Sequence, residues 1–279
     1  KDVMLATVGS RLHQLSILYD RKFDVAGASN RHYDLKLGYP SSHTMALDAV
    51  PSGARVLDIG CGSGAFAELL AQKGCRVAGM DRYPPAPGNV FEEFFLWDER
   101  KDPFQADLRQ YDYILLLDVI EHLTEPEAFL EGLRQSSSGV GHRPRVIVTT
   151  GNVVFWMLRL QSLLGNFNYG KRGILDLTHS RLYTFRTLKK VFTQCGFSVE
   201  RVSPVPAPFP KALGPGFLAR ALLKANQWMN ALLPGLFAYQ IYMEARPLAT
   251  VDALLHDAIR TSQKKTEPAA QEAGAARAS

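Results

Sequence analysis

Cysteine is scarce: the chain has three in 279 residues, Cys61, Cys75 and Cys195, and none stands in a C-x-x-C pair. That spacing supports neither a disulfide framework nor a zinc site, and it suits a reducing compartment. Long hydrophobic runs are missing too. No apolar stretch reaches the roughly 18 residues needed to cross a bilayer, and the first residues lack the pattern of a secretory leader. The chain is therefore expected to be cytoplasmic. It begins at Lys1, as a processed product or a piece cut from a longer polypeptide would. A strong charge of one sign is also absent. The formal net charge is +5, and pairs such as Lys171-Arg172, Lys189-Lys190 and Lys264-Lys265 are scattered, as solvated surface residues are, so nucleic acid is not the expected partner. What remains, 46% hydrophobic and 21% charged residues, suits a globular enzyme of one large domain with extensions.

The most informative stretch is Val56-Leu57-Asp58-Ile59-Gly60-Cys61-Gly62-Ser63-Gly64, a strand that runs into a glycine-rich turn and then a helix. Glycines at alternate positions let the backbone turn sharply and approach a ligand, while the next helix offers its free N–H groups. A pyrophosphate site wants G-x-G-x-x-G. Here the glycines run G-x-G-x-G, with Asp58 two residues ahead. An acid there would repel a pyrophosphate but accept from the α-ammonium of an amino-acid moiety, which S-adenosylmethionine carries. The next apolar run ends in Asp81, about 20 residues on, where an acid can bind both ribose hydroxyls.

With Trp97-Asp98 and the run Tyr111 to Leu117 followed by Asp118-Val119-Ile120-Glu121-His122, the chain resembles the class I S-adenosylmethionine-dependent methyltransferases over residues 30 to 247. The resemblance implies that Asp98 lies beside the adenine amino group and that the strand ending at Asp118 carries the methionine end of the cofactor. The expected cofactor-binding set is Asp58, Gly60, Cys61, Gly62, Gly64, Asp81, Arg82, Trp97, Asp98 and Asp118. Tyr33 and His43 join it from a leading segment expected to fold over the cofactor, where the aromatic spacing equally suits a surface loop pinned by its tyrosines.

Strand patterns at 54–59, 75–80, 90–96, 111–118 and 145–150 alternate with helical ones near 43–49, 64–73, 104–109 and 125–136. Strands at 198–202 and 237–245 complete an α/β, Rossmann-like, doubly wound seven-stranded sheet, the last strand antiparallel if the family topology holds. Residues 1–50 are expected to form a helical cap, with a helix over 3–20. Residues 51–250 form the methyltransferase domain, with a lid at 151–184 and an amphipathic helix at 216–233. Residues 251–279 form a C-terminal helix and a disordered tail.

The lid begins with Gly151 to Leu164, apolar around most of a helical circumference, so it must be buried or touch something apolar. Further on, the string Asp176-Leu177-Thr178-His179-Ser180-Arg181-Leu182-Tyr183-Thr184 resembles a bacterial methyltransferase subgroup linked, and sometimes fused, to glycosyltransferases and glycan assembly. His179, His122 and Arg181 are the catalytic candidates. His179 has the pKa of a general base for a substrate hydroxyl, and it can equally cap the loop. Asp118, Glu121 and His122 fall on one face if a helical turn starts at the strand end. With His179 they resemble the ligands of a divalent metal in small-RNA 3′-end methyltransferases, although metal-free relatives carry the same Glu-His string.

The expected activity is S-adenosylmethionine-dependent O-methylation of a sugar or glycan hydroxyl, on a small-molecule or lipid-linked acceptor, with a glycosyltransferase domain as partner. A quinone, polyketide or other apolar acceptor is the alternative, encouraged by a resemblance of Asp118 to His122 to ubiquinone-type O-methyltransferases. A non-catalytic cofactor-binding module is the reading from another class. The apolar lid and the 216–233 helix add the expectation of contact with the inner face of a membrane.

Overall fold

Aliphatic residues two apart share one face of a strand and adjacent ones take opposite faces, and each central strand shows this. In β1 (Arg55–Ile59), Leu57 and Ile59 join one core cluster while Val56 joins the other. In β4 (Tyr113–Leu117), Ile114 and Leu116 take the first side and Leu115 the second. In β5 (Arg145–Gly151), Val146 and Val148 face one cluster and Ile147 the other. Strands apolar on both faces belong in the middle of a sheet covered by helices on both sides. The computed structural model describes residues 35–259 apart from 86, 99–103, 105–106, 138–140, 171, 215, 252 and 256–257.

The seven strands lie in the order β3-β2-β1-β4-β5-β7-β6, with β2 at Arg76–Asp81, β3 at Glu93–Leu96, β6 at Phe197–Val205 and β7 at Gln240–Pro247. β1 to β5 pair in parallel, and β7 runs antiparallel to both β5 and β6. The expected doubly wound sheet with an antiparallel last strand is therefore present. The order reverses at β1, so the carboxyl ends of β1 and β4 flank a crevice of the kind where ligands bind in open α/β sheets.

The helices are α1 (Ser42–Ala49), α2 (Ala65–Gln72), α3 (Pro126–Ser137), α4 (Trp156–Leu163), α5 (Phe185–Gln194), α6 (Phe209–Leu213), α7 (Phe217–Leu232) and α8 (Pro234–Phe237). Two start on reciprocal capping boxes. The Ser41 hydroxyl accepts from Thr44 N–H while the Thr44 hydroxyl accepts from Ser41 N–H, and Thr184 and Thr187 repeat this at α5. Each cap satisfies N–H groups that a helix start leaves without partners.

Several expected elements differ. The helix expected over 104–109 is, among the described residues, a single 3-10 turn at Leu108–Gln110, because Asp107 accepts from Arg109 N–H and pairs with its guanidinium. The lid helix does not begin at Gly151. That residue still belongs to β5, and Asn152 is fixed by bonds from its Nδ2 to the carbonyls of Gly235 and Ala238, so the helix starts only at Trp156. β7 begins at Gln240 rather than 237, because Pro234 opens the short α8. The helix expected over 3–20, Tyr33 and the tail beyond 259 lie outside the described residues.

Candidate active site

The turn after β1 needs glycine for two separate reasons. Gly60, Gly62 and Gly64 have φ of 73°, 55° and 88°, the left-handed region that residues with a Cβ seldom occupy. A Cβ on Gly60 would also lie 2.5 Å from Val119 Cγ2, whereas one on Gly62 would meet nothing within 4 Å. Gly60 thus packs against the β4 turn, and Gly62 faces open space. The ring of Phe91 fills the space over Gly64 and Gly79, where added Cβ atoms would lie 3.0 and 2.8 Å from it.

Two carboxylates frame this turn. Asp81, at the end of β2, accepts from Gly62 N–H at 2.8 Å and from Tyr83 N–H at 3.0 Å. Asp58 is buried, and burial followed by the charge of Asp81 pushes its carboxyl up to about 7. A buried acid strained upward beside a second acid is stabilised by an incoming cation. The ammonium and sulfonium of S-adenosylmethionine are of that sign, so the residues present fit this cofactor. Cys61 lies between the two acids, and burial raises its thiol further. Arg82 is exposed. Trp97 stacks on Phe104 with centroids 5.7 Å apart and tilts against Phe129 at 5.5 Å, and Asp98, next in sequence, is half-buried.

At the end of β4, Asp118 adopts φ 56°, the one non-glycine residue at positive φ among the described residues. Its Oδ2 lies 3.0 Å from Lys36 Nζ, and its Oδ1 accepts from Thr149 Oγ1 at 2.8 Å and Gln240 Nε2 at 2.7 Å. Burial pushes the carboxyl up, but the Lys36 ammonium and these hydrogen bonds outweigh it and hold Asp118 below the usual carboxylate range. Lys36 also donates to Gln240 Oε1 at 3.1 Å, and its backbone N–H donates to His43 Nδ1 at 3.0 Å. His43 is buried against Phe66, and burial, then the Lys36 charge, lowers it to about 4. His43 therefore supports Lys36 and does not line an open pocket. Lys36, Thr149 and Gln240 carry no motif in the sequence that marks them as site residues.

The left-handed turn at Asp118 interrupts the helical turn on which the metal expectation rested. Asp118 is committed to Lys36, Thr149 and Gln240, and among the described residues no group of three or more His, Cys, Asp and Glu side chains is placed to hold a metal. Glu121 is buried, its Oε2 has no hydrogen-bond partner among the described residues, and burial followed by the Asp118 charge pushes it up to about 8.

The Glu121 carbonyl accepts from Ser180 N–H at 2.8 Å and Arg181 N–H at 3.1 Å, which ties the far end of the lid to the β4 turn. His122 and His179 meet there edge to face, with ring centroids 4.7 Å apart. His179 Nδ1 lies 2.9 Å from the Ile174 carbonyl. A carbonyl only accepts, so Nδ1 carries the proton and Nε2 keeps its lone pair. The Thr178 hydroxyl donates to Asp176 Oδ1, so it accepts from His122 Nδ1, which also lies 3.2 Å from the Thr178 carbonyl. Burial, then the neighbouring His122, lowers the pKa of His179. Arg181 is engaged by Glu127 at the start of α3, so it braces the loop.

An open α/β sheet with this strand order, a glycine turn after β1 and acids at the ends of β1 and β2 defines a class I methyltransferase fold. The sequence model of the methyltransferase domain family matches residues 30–202, and the chain belongs to that family. It is 36% identical over 110 residues to a ubiquinone biosynthesis O-methyltransferase of Azorhizobium caulinodans, a stretch covering 36% of this chain and 41% of that protein. It is 30% identical over 118 residues to the enzyme of the same name from Acinetobacter baylyi, covering 39% and 48%. The chain thus spans less than half the length of these curated relatives. Among solved structures, a SAM dependent methyltransferase from Archaeoglobus fulgidus aligns with a TM-score of 0.49 at 17% identity, covering 73% of this chain and 90% of that one.

Proposed function

We propose that the chain is an S-adenosylmethionine-dependent O-methyltransferase whose acceptor is an apolar small molecule with an acidic hydroxyl, of the quinol or phenol kind. The observation that carries the reading is His179, whose Nδ1 is committed to the Ile174 carbonyl so that Nε2 is left as a proton acceptor. Asp58, Gly60 to Gly64, Asp81 and Asp98 would hold the cofactor, with Asp118 at its methionine end. S-adenosylmethionine, when bound, supplies an electrophilic methyl group on a sulfonium. The chain's own residues orient the acceptor hydroxyl, take its proton at His179 Nε2 and keep water away beneath the lid. The lid is largely apolar, with Phe155, Leu158, Ile174 and Leu175 packed together, and an apolar acceptor suits such surroundings better than a hydrated sugar. The names of the relatives point the same way.

The test is transfer of labelled methyl to a panel of quinols and catechols beside glycans and lipid-linked sugars. Turnover on quinols or catechols is the expected result. Turnover confined to sugars would instead favour the glycan reading, with its glycosyltransferase partner. Cofactor binding without turnover on any acceptor would favour a non-catalytic module.

A further inference from the structure

We infer that the edge of the protein formed by α4 and α7 docks on an anionic phospholipid surface. This goes beyond methyl transfer and does not depend on it. The first observation is a helix that leaves a large apolar stripe facing outward. α7 turns Ala219, Leu223, Asn226 and Asn230 inward, where Asn226 accepts from Ala207 N–H at 3.0 Å and donates to the Phe237 carbonyl at 2.9 Å. On the opposite face, at helical spacing, Phe217, Trp228 and Leu232 are 82%, 68% and 60% exposed. A helix that serves only its own domain buries its apolar stripe and shows water its polar one. This one buries Asn226 and Asn230 beside Ala219 and Leu223 and leaves its largest apolar side chains outside.

The second observation is a further apolar surface on a segment that leaves the same end of the sheet. β5 ends at Gly151, β6 at Val205 and β7 begins at Gln240, and the antiparallel register places Gly151 and Val205 on either side of Gln240. The lid and the crossover containing α7 therefore leave the same edge of the sheet. Their inner sides share one cluster, in which Phe155 and Leu158 pack with Ala207 and Phe209. The outer end of α4 continues the pattern, with Leu163 84% and Leu164 69% exposed. Large exposed apolar surface of this kind marks an interaction site.

The third observation selects the occupant. Residues 151–184 and 205–239 contain Arg159, Lys171, Arg172, Arg181, Lys211, Arg220 and Lys224 against a single acid, Asp176, although 27 acids are spread over the 279 residues of the chain. On α7, Arg220 and Lys224 flank the exposed apolar stripe at helical spacing. Apolar side chains flanked by cations complement an anionic headgroup layer over an acyl interior. Two copies meeting through this face would oppose like charges, which disfavours a dimer. No helix among the described residues is long and apolar enough to cross a membrane, so the contact is interfacial.

The experiment is co-sedimentation of the full chain with phosphatidylcholine vesicles, with and without about one-third phosphatidylglycerol, at low and high salt. The expected result is binding to the anionic vesicles only, weakened by salt. Arg220→Gln with Lys224→Gln should reduce it roughly tenfold or more, and Phe217→Asp with Leu163→Asp should abolish it. These side chains are exposed, so the fold should persist, as circular dichroism would verify. An independent readout is quenching of tryptophan fluorescence by lipids brominated on their acyl chains, which Trp228→Phe should largely remove. Binding to neither vesicle, equal binding to both, or binding unchanged by the substitutions would overturn the inference. So would concentration-dependent dimerisation abolished by Phe217→Asp without any vesicle binding.

Discussion

Lys36 places its ammonium 3.0 Å from Asp118, joining the segment that precedes α1 to the end of β4. The two side chains are 15% and 8% exposed, so removing one partner leaves the other charge buried and uncompensated. Lys36→Met should therefore destabilise the protein by about 3 kcal/mol, measured by urea unfolding. A change within 0.5 kcal/mol would mean that Thr149 and Gln240 satisfy Asp118 by themselves.

Gly60→Ala should cost roughly 1–3 kcal/mol, because it combines a left-handed φ with a Cβ 2.5 Å from Val119 Cγ2. Gly62→Ala has the φ strain alone and should cost less. Thermal unfolding of the two variants checks the order, and equal losses would show that the Val119 contact relaxes freely.

Glu121 gives a pH dependence of definite sign. Its folded pKa of about 8 lies above the ordinary 4.5, so the folded state keeps a proton that the unfolded chain gives up. Stability from this group is complete below about pH 4.5 and is lost as pH rises towards 8. Glu121→Gln should flatten that decline, and its thermal midpoint should fall by at least about 2 °C less than that of the wild type between pH 5 and pH 8.5. Parallel curves would contradict the assignment.

His179→Asn should lower turnover roughly a hundredfold to ten-thousandfold while leaving cofactor affinity unchanged. The base must be unprotonated to act. Because the pKa of His179 is lowered, the acid limb of kcat/KM should have its midpoint below about 6.5, and the limb should vanish in the variant. Full activity in His179→Asn would leave this residue a loop cap.

Much of the fold was legible because its signals are local. Short apolar runs located the strands, and the spacing of Gly60, Gly62 and Gly64 located the turn, since both depend on neighbours in sequence. The site was legible only in part. Asp58 and Asp81 follow from strand ends, but Lys36, Thr149 and Gln240 converge on Asp118 only because β7 enters beside β5 with Gln240 opposite Gly151. No local pattern encodes that pairing. The metal expectation finds no support among the described residues: helical spacing of Asp118, Glu121 and His122 presumes a helical backbone, and Asp118 is left-handed. The His122 and His179 contact depends on the Glu121 carbonyl holding the loop at Ser180 and Arg181, a long-range bond that sequence spacing does not show.

The central claim is that the turn between Asp58 and Asp81 binds S-adenosylmethionine, and calorimetric titration with S-adenosylhomocysteine tests it most directly. Saturable binding is predicted, with NADH giving none and with Asp81→Ala weakening it roughly tenfold or more through loss of two hydrogen bonds. Absence of binding by the folded wild-type chain, or equal affinity in Asp81→Ala, would contradict the account.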